Sequence, residues 1–191
     1  MKKILIIAAL ISVSWSARSQ DWRNEIALSY GQLSVGEFVY VLGGVFTGVF
    51  SLGHVTMENP RFTGVVSLEY YHSLSKVFSV GGIIAAESIW GNMISTSKEP
   101  NDPDRINGRY DMMFLSVMPA VRARWFGKPR FSMYSKVAVG LCACFNGETS
   151  FLPGVQLSPI CLEFGNPSIR GFLEIGAGMQ GVVDLGIRHR F

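Results

Sequence analysis

Four groups of residues in this sequence have types and spacings that could do chemistry. Ser51, His54 and Glu58 bring a hydroxyl, an imidazole and a carboxylate close together, the parts of an acyl-transfer site. Gly176-Ala177-Gly178-Met179-Gln180-Gly181 matches the glycine fingerprint that cradles a dinucleotide pyrophosphate. Cys142, Cys144 and Cys161 offer thiols for a disulfide or a metal. Finally, Glu25, Glu69, Glu87, Glu163, Glu174 and Asp184 recur in apolar surroundings, as do Arg122, Arg124, Lys136, Arg170, Arg188 and Arg190. Charges of both signs on one shared surface would form an ion-pair network.

Any such chemistry depends on the elements that position it, and composition bounds those elements. The first nineteen residues have a basic start (Lys2, Lys3), an apolar run from Ile4 to Val13, and Ala17 and Ser19 before a plausible cut. Residues 1–19 therefore read as a cleaved signal peptide, and 20–191 as one mature domain. Lys2, Lys3 and Arg18 leave with the leader, so the 17 bases become 14 against 14 acids. That balance gives no basic footprint for nucleic acid. The chain is 48% hydrophobic and only 16% charged. Its mature part nevertheless has no uninterrupted apolar stretch long enough for a membrane-spanning helix.

Alternation resolves this. From Arg109 to Trp125 one parity carries Met113, Leu115, Val117, Pro119, Val121 and Ala123, and the other carries Ser116, Arg122 and Arg124. From Phe131 to Phe145 the pattern repeats, with Val137, Val139 and Leu141 on one face and Ser132, Tyr134 and Lys136 on the other. Extending the reading gives eight strands, at 24–32, 61–72, 76–90, 109–125, 130–145, 154–165, 168–177 and 182–191. Most reach the length of a tilted transmembrane strand. Short connections at 73–75, 126–129 and 166–167 alternate with longer ones at 33–60, 91–108 and 146–153.

With each apolar parity turned outward, all twelve charges named above face inward. Aromatic residues gather near the strand ends. Trp22, Tyr70, Trp125, Phe131, Phe164 and Phe191 lie on the short-turn side, and Tyr30, Phe62, Trp90, Tyr110 and Phe145 on the loop side. The fold class is therefore all-β, an eight-stranded antiparallel transmembrane barrel. A soluble sandwich or lipocalin-like barrel is the rival, and its outward parity should be polar.

The last ten residues, Val182-Val183-Asp184-Leu185-Gly186-Ile187-Arg188-His189-Arg190-Phe191, resemble the C-terminal assembly signal of outer-membrane barrels, in Val183, Leu185, Ile187 and Phe191. His189 stands where an aromatic is usual. With Glu25 to Gly31, Met118 to Val121 and Met133 to Lys136, the mature chain resembles the small outer-membrane β-barrels of Bacteroidota, and more broadly the OmpA/OmpX-type eight-stranded barrels. The resemblance implies a place in the cell outer membrane, with outer-membrane lipid and lipopolysaccharide as surroundings. It also implies the barrel-assembly machinery as a partner during insertion.

In that frame the dinucleotide fingerprint lacks a helix to follow it and reads as a glycine-rich hairpin. Cys142, Cys144 and Cys161 share the lumen parity of neighbouring strands, so a disulfide from Cys161 to Cys142 or Cys144 and three small buried thiols both stay open. His72 and His189 fall near the short-turn side, leaving His54 as the imidazole available to a lipid-modifying enzyme. A polar loop also supplies Ser51, His54 and Glu58 by accident, so the expected protein is not an enzyme and has no cofactor. An acyl-chain-modifying enzyme acting on lipid A stands as the alternative, and a small-solute pore comes after it. An eight-stranded barrel is narrow enough for side chains to fill, which argues against a pore.

The loops are the expected contact regions for an envelope or host surface partner. In 33–60, Phe38, Leu42, Val45, Phe46 and Val49 recur at helical spacing, while Gly43-Gly44 suits a hairpin instead. In 91–108, Asn101-Asp102-Pro103-Asp104-Arg105 is turn-rich.

Overall fold

The computed structural model describes residues 23–34, 37, 55–95 and 107–191. The leader at 1–19, the helix-or-hairpin question at 38–49 and the 101–105 tip lie outside them. The described chain forms nine strand segments: β1 (Asn24–Gln32), β2 (Val55–Phe62), β3 (Val65–Ser73), β4 (Phe78–Ser95), β5 (Asn107–Lys128), β6 (Phe131–Asn146), β7 (Glu148–Gly165), β8 (Ile169–Gly178) and β9 (Val183–Arg190).

Every pairing is antiparallel and the sheet closes on itself. Around the ring the order is β1, β3, β4, β5, β6, β7, β8, β9 and back to β1. β2 pairs with the upper part of β4, beyond β3, so β2 and β3 occupy one position and the barrel has eight. Thr63 joins the two segments. Its amide donates to the Ser88 carbonyl at 3.0 Å, and its Oγ1 accepts from the Ser88 amide at 2.9 Å, standing in for a ladder carbonyl. Sequence patterning placed the second strand at 61–72 and left 55–60 in a loop. Glu58-Asn59-Pro60-Arg61 breaks the apolar alternation, and the register shift there absorbs a proline that cannot donate to the ladder.

Two further bulges re-aim side chains. On β5 the register skips between Arg124 and Phe126, which lets Arg124 stay inward while Trp125 and Phe126 are both exposed. On β7 the register shifts at Ser158–Ile160, around Pro159. Gln156, Ser158, Cys161 and Glu163 consequently all face inward, while Val155, Leu157, Ile160 and Phe164 face out. A single parity over 154–165 would have put Leu157 beside Glu163. The expected connection at 146–153 is instead almost entirely strand. Asn146 pairs with Glu148, and Gly147, at φ 71°, makes the turn in a conformation that side chains disfavour.

The wall is uneven. β1, β8 and β9 have 9, 10 and 8 residues, about one membrane crossing. β4, β5, β6 and β7 have 18, 22, 16 and 18, so one side rises well past the other. The excess length is at the end that carries the 33–54 and 96–106 connections, called here the loop end. The tight links at 73–78, 128–131 and 165–169 mark the turn end.

Candidate functional site: the charged lumen and the apolar belt

Inward parity concentrates polar side chains in a narrow interior. At the turn end, β1 brings Glu25 and β7 brings Glu163; β5, β8 and β9 bring the guanidiniums. Arg122 pairs with Glu25, and Arg190 bridges the two acids, 2.9 Å from Glu25 and 2.8 Å from Glu163. Arg124 reaches Glu25 at 3.5 Å. Arg170 donates to the Ser132 hydroxyl at 3.1 Å, and that hydroxyl donates to Glu163 at 2.9 Å.

In the middle, Lys136 pairs with Glu69 at 2.7 Å and with Glu174. Tyr134 donates to Glu174 at 2.5 Å. Arg188 spans both levels. It lies 3.1 Å from Glu69, and 3.6 to 3.8 Å from Glu25, Glu163 and Glu174. Its guanidinium also sits over the rings of Phe172 (4.5 Å) and Tyr134 (5.1 Å), while Arg122 sits over Tyr71 (4.8 Å) and Tyr134 (5.0 Å). Delocalised, weakly hydrated guanidiniums tolerate such packing better than ammonium groups do.

At the loop end the partners change. Glu87 accepts from the Ser34 hydroxyl at 2.7 Å, and Ser34 Oγ accepts from the Glu37 amide at 3.0 Å. No ion pair reaches Glu87 or Asp184 among the described residues, although both are buried. The β8–β9 turn closes the short side of this end. It tucks Gln180 fully inside, where the side chain accepts from Lys136 at 2.7 Å and donates to Glu69 at 2.9 Å. Gln156 holds the turn by accepting from the Gln180 amide at 2.8 Å.

The structure thus places Glu25, Glu69, Glu87, Arg122, Lys136, Glu163, Arg170, Glu174, Asp184 and Arg188 in the interior, with Arg124 a quarter exposed at the turn end. It brings all of them except Glu87 and Asp184 into ion pairs. Sequence patterning did not single out Gln156, Gln180, Ser34 or the aromatic partners. Inward parity was the only signal for Tyr134, and Gln180 belongs to a turn that alternation cannot reach.

Glu69, Glu174 and Asp184 have carboxylate oxygens within 4.8 Å of one another, a spacing that suits a cation. The Lys136 ammonium already lies against two of them and supplies that charge.

Of the two readings open for the cysteines, the register goes against a disulfide from Cys161 to Cys142 or Cys144 and fits three separate buried thiols. Cys161 pairs across from Tyr134, whereas Cys142 and Cys144 face Leu152 and Ser150, well up the barrel wall. All three thiols are free and buried. The glycine fingerprint at 176–181 forms the end of β8 and its turn, with no helix after it. Of the acyl-transfer candidates, Ser51 and His54 lie outside the described residues, and Glu58 is placed only by its backbone, opposite Asn92. His72 bonds Asn24 at 2.9 Å and His189 stacks on Phe191, both at the turn end.

The exterior has the opposite chemistry. Leu28, Val66, Ile84, Val117, Val139, Leu157, Ile175 and Leu185, one from each ring position, all point outward and are exposed. Val183, Leu185 and Ile187 of the terminal motif belong to this belt, with Phe191 partly covered at its edge. Tyr70, Trp125, Phe131 and Phe164 ring the turn end of the belt, and Tyr30 and Phe145 its loop end. A soluble monomer rarely leaves a contiguous apolar patch of more than a few hundred Å² in water, and this one encircles the molecule. No family model, curated protein or solved structure matches the chain.

Proposed function

We propose that this barrel resides in a bacterial outer membrane, as a small OmpA/OmpX-type protein of the kind found in Bacteroidota. Residues 1–19 would direct its export and the assembly machinery would insert it, with the turn end facing the periplasm. The observation that carries this reading is the unbroken apolar belt outside a charged interior. Only a solvent without hydrogen-bonding capacity makes such an inversion stable, and a closed barrel leaves no backbone edge for that solvent to meet. The function assigned is non-enzymatic. The barrel acts in envelope structure or surface interaction through the connections at its loop end.

A conducting pore does not suit this interior. Arg122, Arg188, Tyr71, Tyr134, Lys136 and Phe172 are among its largest fully buried side chains and fill the cross-section. Purified protein in planar bilayers is expected to stay silent.

Two measurements test the reading. The mature protein is expected in the membrane fraction, with an electrophoretic band that shifts on boiling; recovery as a soluble periplasmic species overturns it. Val117 lies mid-strand and is 54% exposed. Val117→Arg should cost about 2–4 kcal/mol if that position faces lipid, and almost nothing if it faces water. Urea unfolding in lipid vesicles reads the difference.

A further inference from the structure

A cavity of about 390 Å³ opens at the turn end of the barrel, and its lining is strongly one-signed. Lys76, Arg124, Lys128, Arg170 and Arg190 contribute five cations, Ser132 contributes a hydroxyl, and no carboxylate lines it. The acids behind it are already oversubscribed: Glu25 and Glu163 serve Arg122, Arg124, Arg170, Arg188 and Arg190 between them.

The deficit is visible atom by atom. Arg170 is 4% exposed, and its Nε has no hydrogen-bond partner; the nearest carboxylate oxygen is 3.9 Å away. Arg124 Nε is likewise buried without a partner, and the one acid near its guanidinium is 3.5 Å away. Neither Lys76 nor Lys128 forms an ion pair among the described residues; Lys128 rests over the Phe126 ring at 5.7 Å. Buried donors without acceptors are costly, and a cleft of one sign focuses its field on whatever enters.

We propose that this cavity is a binding site for a phosphate group. Guanidiniums present paired N–H donors that match phosphate oxygens, and the lysines add point charge at the rim. The volume suits one phosphorylated headgroup or a free ion. Two sources share this chemistry. Inorganic phosphate would enter the cavity alone. An anionic phospholipid would place its phosphate there and run its chains down the belt past Trp125, which is 57% exposed beside the cavity.

The test uses the folded barrel in an uncharged maltoside detergent and phosphate-free buffer. Inorganic phosphate is titrated by calorimetry, and short-chain phosphatidylglycerol by native mass spectrometry, with the matching diacylglycerol as the phosphate-free control. Binding of either phosphate probe is expected, weakening with added salt. Lys76→Gln combined with Lys128→Gln should weaken it about tenfold or more. Both lysines are exposed, and the boiling-dependent band shift checks that the double variant still folds. Binding of inorganic phosphate identifies a small-anion site, and binding of the lipid alone identifies a headgroup site. No binding of either probe, equal binding of the diacylglycerol, or unchanged affinity in the double variant overturns the proposal. The inorganic-phosphate arm does not depend on the membrane reading, so a barrel that proved soluble would still answer it.

Discussion

At the turn end of the lumen five guanidiniums gather around two carboxylates, each acid shared by three or more cations. At the loop end Glu87 and Glu37 are buried, the Ser34 hydroxyl donates to Glu87 and accepts from the Glu37 amide, and no cation contacts either acid among the described residues. Inward parity gives the interior six acids and six bases, and the guanidiniums are concentrated at the turn end. This contrast separates two uses of buried charge. Ion pairs at the turn end and in the middle tie non-adjacent strands together across the lumen, as Arg188 on β9 does with Glu69 on β3. The loop-end acids tie one connection to one strand through Ser34. The first kind determines whether the barrel holds; the second determines how its mouth is dressed.

That contrast can be broken most forcefully at Arg188. Arg188→Met removes the cation shared by Glu25, Glu69, Glu163 and Glu174, and leaving those acids short of charge should cost about 3–5 kcal/mol. Urea titration followed by the band shift on boiling would report it, and a variant as stable as the parent would remove the cross-lumen tie from the account. Next in size is Glu163→Gln, which removes the charge shared by Arg170, Arg188 and Arg190 and one of the two oxygens that accept from Arg190 and Ser132, and should destabilise by about 3 kcal/mol in the same titration.

Gly186→Val tests packing with no change of charge. Gly186 faces inward, and a Cβ there would lie 2.6 Å from Phe172 Cε1, which has little freedom beneath Arg188. The expected loss is about 1–3 kcal/mol. Glu87→Gln should have the smallest effect, within about 1 kcal/mol, because its partner is a hydroxyl and the amide oxygen can still accept from Ser34. If Glu87→Gln cost as much as Glu163→Gln, the distinction between the two ends would fail.

Much of this was legible in the sequence, because a barrel wall enforces a period of two and a one-residue slip exchanges inside for outside. Arg122 and Arg124 on one parity, against Val117 and Val121 on the other, gave β5 its faces directly. The failures fall where the period is interrupted. Pro60 and Pro159 sit at bulges, so residues 55–60 read as loop and β7 read as one parity. The expected connection at 146–153 is longer than the Asn146-Gly147-Glu148 turn that the structure shows; Pro153 is strand and pairs with Leu141. The cysteines' inward face was legible and their pairing was not: parity reports which face a residue takes, and register, which decides who stands opposite, depends on those same bulges. Gln180 was invisible because a turn residue that folds inward obeys no alternation.

The seam between β1 and β9 carries a consequence in time. Eight paired residues, from Glu25 with Arg190 to Gln32 with Val183, join the first strand to the last. No local hairpin can substitute for that contact, so ring closure must wait for almost the whole chain and is the slowest kind of pairing to find. Until then β1 and β9 both present open edges on a strongly apolar sheet, the arrangement most prone to pairing with other chains. A chain shortened before Val183 should therefore do more than lose stability. It should be trapped as an open sheet and lost to aggregation.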